Sequence, residues 1–347
     1  MRIEAIAPTR IDLAGGTLDI YPLYLFLEGG LTINMAIDLM AQVRLETRSD
    51  RGVRIFSRDT GLALWAPDVA SLPQDWELSL LARAVRFYPP RTGVTITTHN
   101  LSPHGSGLGA SSALLIALSG ALGALNGSRI SNEQIIEFAA NLEAQVIGIP
   151  TGKQDYYAAV YGGVNAIWFG TGGNRVERLV TDEGVIAALE RRVILTFTGE
   201  SRFSGTSNWN MLKAFIDNLN HTQDRMRAIK ATAESMREAL LSADLERFTW
   251  LMAEEWRNRK QLAEGVTTPH IEQLIAAAAE AGARASKICG AGGGGCMISI
   301  AGEGQREAVI RALEAHGARH IPYRVARRGL TLRRGQRLEA PRRPVAS

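Results

Sequence analysis

The stretch that most constrains how this chain can fold is Pro103-His104-Gly105-Ser106-Gly107-Leu108-Gly109-Ala110-Ser111-Ser112, followed by an apolar run that stops at Asn126-Gly127. From residue 105 to residue 128 no side chain is charged. A helix that is apolar on every side must be covered by lipid or by a protein core. The segment reaches membrane-spanning length, but glycine and serine dilute it, so a buried core helix is expected and a membrane span is not. Glycines at 105, 107 and 109 let the backbone come close to a guest, and the amides at the start of the helix then converge on an anion, for which phosphate is the natural candidate. The same residues read Gly105-x-Gly107-x-x-Ala110, a form of the dinucleotide fingerprint, so an NAD-dependent dehydrogenase is a competing reading. That fingerprint calls for an acid about 20 residues on, where this chain has Leu-Asn-Gly-Ser-Arg-Ile at 125–130. A P-loop is excluded because no Gly-Lys-Ser/Thr follows the glycines.

Around this stretch the periodicity changes along the chain. Runs at Arg2–Ile6, Leu31–Thr47, Val53–Phe56 and Gly93–Thr98 read as strands punctuated by glycine and proline. Helical patterns follow at Ser111–Leu125 and after Ser131, where Ser131-x-x-Gln134 predicts a capping box and Gly148-Ile149-Pro150 a stop. Val193–Phe197 reads as a strand, 207–264 as long amphipathic helices, and Thr268-Pro269 as a helix start that runs to Gly282. A strand-like Ser-Lys-Ile-Cys-Gly then meets the glycine cluster at 290–295, a helix is expected near Gln305–His316, and a strand pair around Tyr323–Leu332. No fixed-period repeat is present. Mixed elements over 347 residues predict an α+β protein in two halves, 1–180 and 181–347.

Composition excludes several classes of protein. Apolar residues at 46% and charged residues at 21% argue against disorder. The net charge of +4 gathers in an arginine-rich end with no aromatic after Tyr323, so nucleic-acid binding is not expected. Cys289 and Cys296 are too few for a disulfide framework, and no Cys/His spacing fits zinc. Glu4, Arg10 and Asp12 interrupt any apolar leader, and a soluble cytoplasmic protein is expected.

Three segments carry a resemblance. Ala7-Pro8-Thr9-Arg10-Ile11-Asp12-Leu13-Ala14-Gly15-Gly16, the Gly-Leu-Gly-Ala-Ser-Ser loop, and Lys287-Ile288-Cys289-Gly290-Ala291-Gly292-Gly293-Gly294-Gly295 resemble, in order and spacing, the three signatures of the GHMP kinases. Within that family the chain is most similar to sugar kinases of the D-glycero-D-manno-heptose 7-phosphate kinase type, through Ala14-Gly15-Gly16-Thr17-Leu18-Asp19, Gly152-Lys153-Gln154-Asp155 and Thr198-Gly199-Glu200-Ser201-Arg202. That type has three glycines before Thr-Asp; here Leu18 separates Thr17 from Asp19 after two. The resemblance implies the GHMP kinase fold, with an N-terminal α/β ATP-binding domain and a C-terminal ferredoxin-like domain. It implies ATP and Mg2+, and transfer of the γ-phosphoryl group to a hydroxyl of a sugar or sugar phosphate. A mevalonate-branch kinase or decarboxylase is the alternative within the family.

Phosphoryl transfer needs an amide cradle, a metal, an orienting carboxylate and a cation. The resemblance assigns ATP to Pro103, Gly105, Ser106, Gly107, Leu108, Gly109, Ala110, Ser111 and Ser112, and Mg2+ to Ser111 and Glu143. It makes Asp155 the catalytic aspartate, with Arg10 and Lys153 as the cations that keep it ionised. The substrate falls to Gly15, Gly16, Thr17, Asp19, Gly152, Asp155, Arg202, Gly292, Gly293 and Gly294, with the Asp19 carboxylate accepting hydrogen bonds from a sugar diol. A homodimer is carried as an expectation for partners.

Overall fold

The structure, a computed structural model, describes residues 1–73, 77–201 and 204–335. Its elements in chain order are β1 (Arg2–Ala14), α1 (Leu23–Phe26), β2 (Gly30–Thr47), β3 (Val53–Ser57), β4 (Ala63–Ala66), α2 (Ser79–Phe87), β5 (Val94–Asn100), α3 (Ala110–Asn126), α4 (Asn132–Ile147), α5 (Gln154–Tyr161), β6 (Val164–Phe169) and β7 (Arg175–Val180). They continue as α6 (Glu183–Arg192), β8 (Val193–Phe197), α7 (Ser204–Ile216), α8 (Thr222–Leu241), α9 (Leu245–Arg259), α10 (Pro269–Glu280), β9 (Ala283–Ile288), β10 (Cys296–Ala301), α11 (Arg306–Ala315), β11 (Arg319–His320) and β12 (Thr331–Gly335).

The long strand β2 organises the larger sheet. Its last residues, Ala41–Thr47, pair with β5, while its first, Gly30–Met35, pair with β6, so two branches diverge from one strand. Along most of its length β2 is antiparallel to β1, with register shifts near Ala7/Thr9 and Asp12/Ala14. Helix α3 lies against β1 and β2 and is buried from Ser112 to Gly123, which accounts for its lack of charge. None of the described helices is long and apolar enough to cross a membrane. The glycine stop works through Gly127 in the left-handed region, with the Ser128 N–H donating to the Gly123 carbonyl.

The smaller sheet has the order β11-β8-β10-β9, all antiparallel. With α7, α8, α9 and α10 between β8 and β9, and α11 between β10 and β11, this is the split βαβ order of a ferredoxin-like fold. The capping box at Ser131 and Gln134 forms, and Thr268 caps α10 ahead of Pro269. The strand pair expected around Tyr323–Leu332 does not form. Arg319–His320 pairs with β8, whereas Thr331–Gly335 crosses back to pair with β1 in the larger sheet. The crossing segment is tied down by backbone bonds between Ala326 and both Ala36 and Gly163. Residues 331–335, expected with the second half of the chain, thus complete the sheet of the first.

Candidate active site

Helix α3 starts at Gly109, whose φ is +72°, and no side chain caps it. The first-turn amides of Ala110, Ser111 and Ser112 are therefore left for another acceptor. Ahead of them Ser106 is buried, and its hydroxyl has no partner. These groups line a cleft of about 530 Å³ together with Pro103, Gly105, Gly107 and Gly109. Leu78, Leu81, Leu114, Val146 and Ile147 give the cleft an apolar wall. Leu108, by contrast, turns its fully buried side chain into the core, and its carbonyl accepts from the Arg10 N–H at 3.0 Å.

Asp155 stands in the first turn of α5, just after the Gly148 stop of α4. Arg10 on β1 donates from Nε to Asp155 Oδ1 at 2.6 Å and from Nη1 to the Gly107 carbonyl at 2.6 Å. One guanidinium thus ties the carboxylate to the glycine loop. Burial works against the Arg10 charge, but Asp155 and Asp12 outweigh it and hold its pKa above the usual value. The backbone of Gly109 is so close that a Cβ there would sit 2.8 Å from Asp155 Cγ. Of the two cations expected beside Asp155, only Arg10 is there. Lys153 Nζ instead donates to both carboxylate oxygens of Glu137, at 2.6 and 2.8 Å, because the start of α5 turns it toward α4.

Glu143 on α4 accepts from the hydroxyls of Ser111, Ser112 and Tyr156. Burial pushes its carboxyl pKa up, and the three hydroxyls pull it partly back. Ser111 and Glu143 therefore present adjoining hard oxygens at the start of α3, the donor type that Mg2+ takes alongside nucleotide phosphates.

The turn at Gly16–Asp19 forms the remaining wall. Leu18 is fully buried in the core with Ile20 and Leu23, so the residue that separates Thr17 from Asp19 goes inward while Thr17 and Asp19 line the cleft. Asp19 Oδ2 accepts from the Gln154 N–H at 2.9 Å, and Gly152 lies so near that a Cβ would meet that oxygen at 2.2 Å. Burial, opposed by the Gln154 bond and reinforced by Asp155, raises the Asp19 pKa to about 6.

Gly15 does not line the cleft; at φ +79° it packs on the Leu31 carbonyl of β2. In the third glycine segment Gly292 and Gly294 line the cleft, while Gly293 donates its N–H to Val266. This segment mainly braces the glycine loop: the Cys296 N–H donates to the Ser106 carbonyl at 2.7 Å, and a Cβ at Gly107, whose φ is +69°, would meet the Cys289 carbonyl at 2.8 Å. Cys289 and Cys296 are buried, and burial pushes the Cys289 thiol up to about 11, so both serve as small packing residues. Arg202 falls outside the described residues. Asn208 and the apolar wall also reach the cleft without having been singled out by the sequence, as does Gln154, quoted within the Gly152–Asp155 segment but given no role there.

Uncapped amides at a helix start suit an anionic group, and an ion-paired aspartate beside them suits a hydroxyl, so the fold and site together define a kinase of small molecules. Residues 78–163 match the family model described as GHMP kinases N terminal domain, and residues 236–319 match GHMP kinases C terminal. The chain belongs to the GHMP kinases. It is 29% identical over 317 residues to the D-glycero-alpha-D-manno-heptose 7-phosphate kinase of Campylobacter jejuni, covering 90% of this chain and 93% of that protein. It is 28% identical to the mevalonate kinase of Thermococcus sibiricus, covering 96% and 98%. The crystal structure of a D-glycero-D-manno-heptose 1-phosphate kinase from Bacteroides thetaiotaomicron superposes with a TM-score of 0.79 at 26% identity, over 96% of this chain and all of that one.

Proposed function

We propose that this protein transfers the γ-phosphoryl group of MgATP to a hydroxyl of a sugar or sugar phosphate, of the heptose type carried by two of its relatives. The observation that carries the reading is the pairing of Arg10 with Asp155 beside the uncapped start of α3, with the Asp19 carboxylate on the neighbouring wall. In this reading the apolar wall takes the base of ATP, and the amides of Ala110–Ser112 with the free Ser106 hydroxyl take its phosphates. Ser111 and Glu143 are the residues that would hold Mg2+. When bound, the ion neutralises charge on the phosphates.

Asp155 accepts the proton of the acceptor hydroxyl as that oxygen bonds to the γ-phosphorus and the bond to the leaving ADP oxygen breaks. Arg10, bonded to Asp155 and to the Gly107 carbonyl, holds that carboxylate in place. Asp19 accepts hydrogen bonds from two acceptor hydroxyls, a role that suits a polyol. An acceptor bearing its own carboxylate, such as mevalonate, would be repelled by Asp19, which is why the sugar reading is preferred over the mevalonate one. The test is an ATP-coupled assay over heptose, heptose 7-phosphate, fucose, galactose and mevalonate. Turnover with a sugar or sugar phosphate is expected. Turnover with mevalonate alone would replace this reading.

A further inference from the structure

Beneath the acceptor turn lie four ionisable side chains that no step above uses. Asp12 of β1, Glu255 and Arg259 one turn apart on α9, and Lys287 of β9 are all fully buried. Lys287 Nζ stands 3.1 Å from Glu255 and 3.4 Å from Asp12, and Arg259 Nε donates to Glu255 Oε1 at 2.6 Å. Burying charge is costly even when it is paired, and an apolar replacement is often as stable, so pairing alone gives no account of the cluster. The free ends of Arg259 give one. Nη2 donates to the Gly16 carbonyl at 2.7 Å and Nη1 to the Thr17 hydroxyl at 3.3 Å.

Thr17 needs holding. It is β-branched yet has a φ of +75°, a conformation that a residue of this kind adopts only where its surroundings impose it. The Thr17 hydroxyl also donates to Met211 Sδ of α7 at 3.6 Å. Both contacts that fix this hydroxyl come from the second half of the chain, and two residues on stands Asp19 in the cleft wall.

We infer that Arg259, aimed by Glu255, is a positioning residue that holds the Gly16–Asp19 turn in its acceptor-binding shape, so that α9 sets acceptor affinity without touching the acceptor. This rests on the reading that Asp19 faces the acceptor. A lysine would keep the charge but lacks the fork that reaches Glu255, Gly16 and Thr17 together.

The test compares the wild type with Arg259→Lys and with the double variant Glu255→Met/Arg259→Met, which removes one positive and one negative charge together and leaves Lys287 paired with Asp12 alone. Circular dichroism confirms folding, calorimetry gives the affinity for a non-hydrolysable ATP analogue, and steady-state kinetics give the acceptor KM and kcat. The expected result is an acceptor KM raised about tenfold or more with kcat nearly unchanged, the pattern of lost uniform binding, while ATP affinity stays within about twofold of the wild type. Amide exchange over residues 15–20 should also speed up in both variants, with 103–112 unaffected. An unchanged acceptor KM, an equal loss of ATP affinity, or failure of both variants to fold would overturn the inference. If the wild type phosphorylates no sugar, the functional reading has failed in the wild type itself, and the positioning role is then decided by the exchange of residues 15–20 alone: unchanged exchange overturns it.

Discussion

Asp19 is a carboxyl whose environment sets when it can work. Burial raises its pKa from the ordinary 3.8 to about 6, so between those values the folded protein keeps a proton that the unfolded chain has lost. Folding stability contributed by this group therefore falls as pH rises from 3.8 to about 6 and is constant above. In the proposed function acceptor binding runs the other way, because the ionised carboxylate would take the sugar hydroxyls. Acceptor kcat/KM is expected to rise with pH through an apparent pKa near 6, and Asp19→Asn to abolish that limb while cutting acceptor kcat/KM by about 10²-fold. A pH profile of Asp19→Asn that still shows the limb would assign it to another group. In the proposed function Ser111 and Glu143 serve the ATP side. Ser111→Ala and Glu143→Gln are each expected to raise the half-saturating Mg2+ concentration about tenfold or more, and a metal titration that does not move in either would remove both as ligands.

At the scale of elements, the glycine loop and the 290–295 segment behave as one unit. Gly107 shows why the loop's glycines carry more than one constraint. The sequence suggests that a side chain there would fill the phosphate space, but the Cβ direction leads to the Cys289 carbonyl. Gly107→Val should therefore push the two loops apart, lowering the melting temperature as well as ATP affinity. Calorimetry of both quantities checks this, and a normal melting temperature with lost ATP binding would restore the simpler picture. Much of the element pattern was legible because single residues announce it: the uncharged run for α3, Ser131 and Gln134 for the start of α4, and Thr268-Pro269 for α10. The hairpin of β6 and β7 was not legible, since Gly162-Gly163-Val164-Asn165 reads as loop chemistry and its pairing with β2 is non-local.

Across the whole molecule the two halves are joined at both ends of the chain. Leu330 and Leu332 sit on Gly120 of α3, and β12 closes the edge of β1. A chain ending after Arg328 is expected to lose about 2 kcal/mol or more of stability in urea unfolding, and an unchanged midpoint would show the last strand to be dispensable. The site was legible as a set of residue types: the glycine loop, Ser111, Glu143, Asp155 and Asp19 meet in one cleft. Which cation serves Asp155 was not, because Arg10 is 145 positions away in the chain and Lys153 only two, and proximity in sequence says nothing about which face of α5 a side chain takes. The charges under the acceptor turn were hidden for the same reason, although Glu255 and Arg259, spaced four apart on the buried face of α9 with Met252 and Trp256, carried a helical signal. In the proposed mechanism Asp155 takes the acceptor proton while ATP rests on the start of α3. That mechanism is tested most directly by measuring kcat and ATP affinity for Asp155→Asn side by side with the wild type. A folded protein with unchanged ATP affinity and kcat lowered about 10²-fold or more is expected; near-normal turnover would remove Asp155 from the proton transfer.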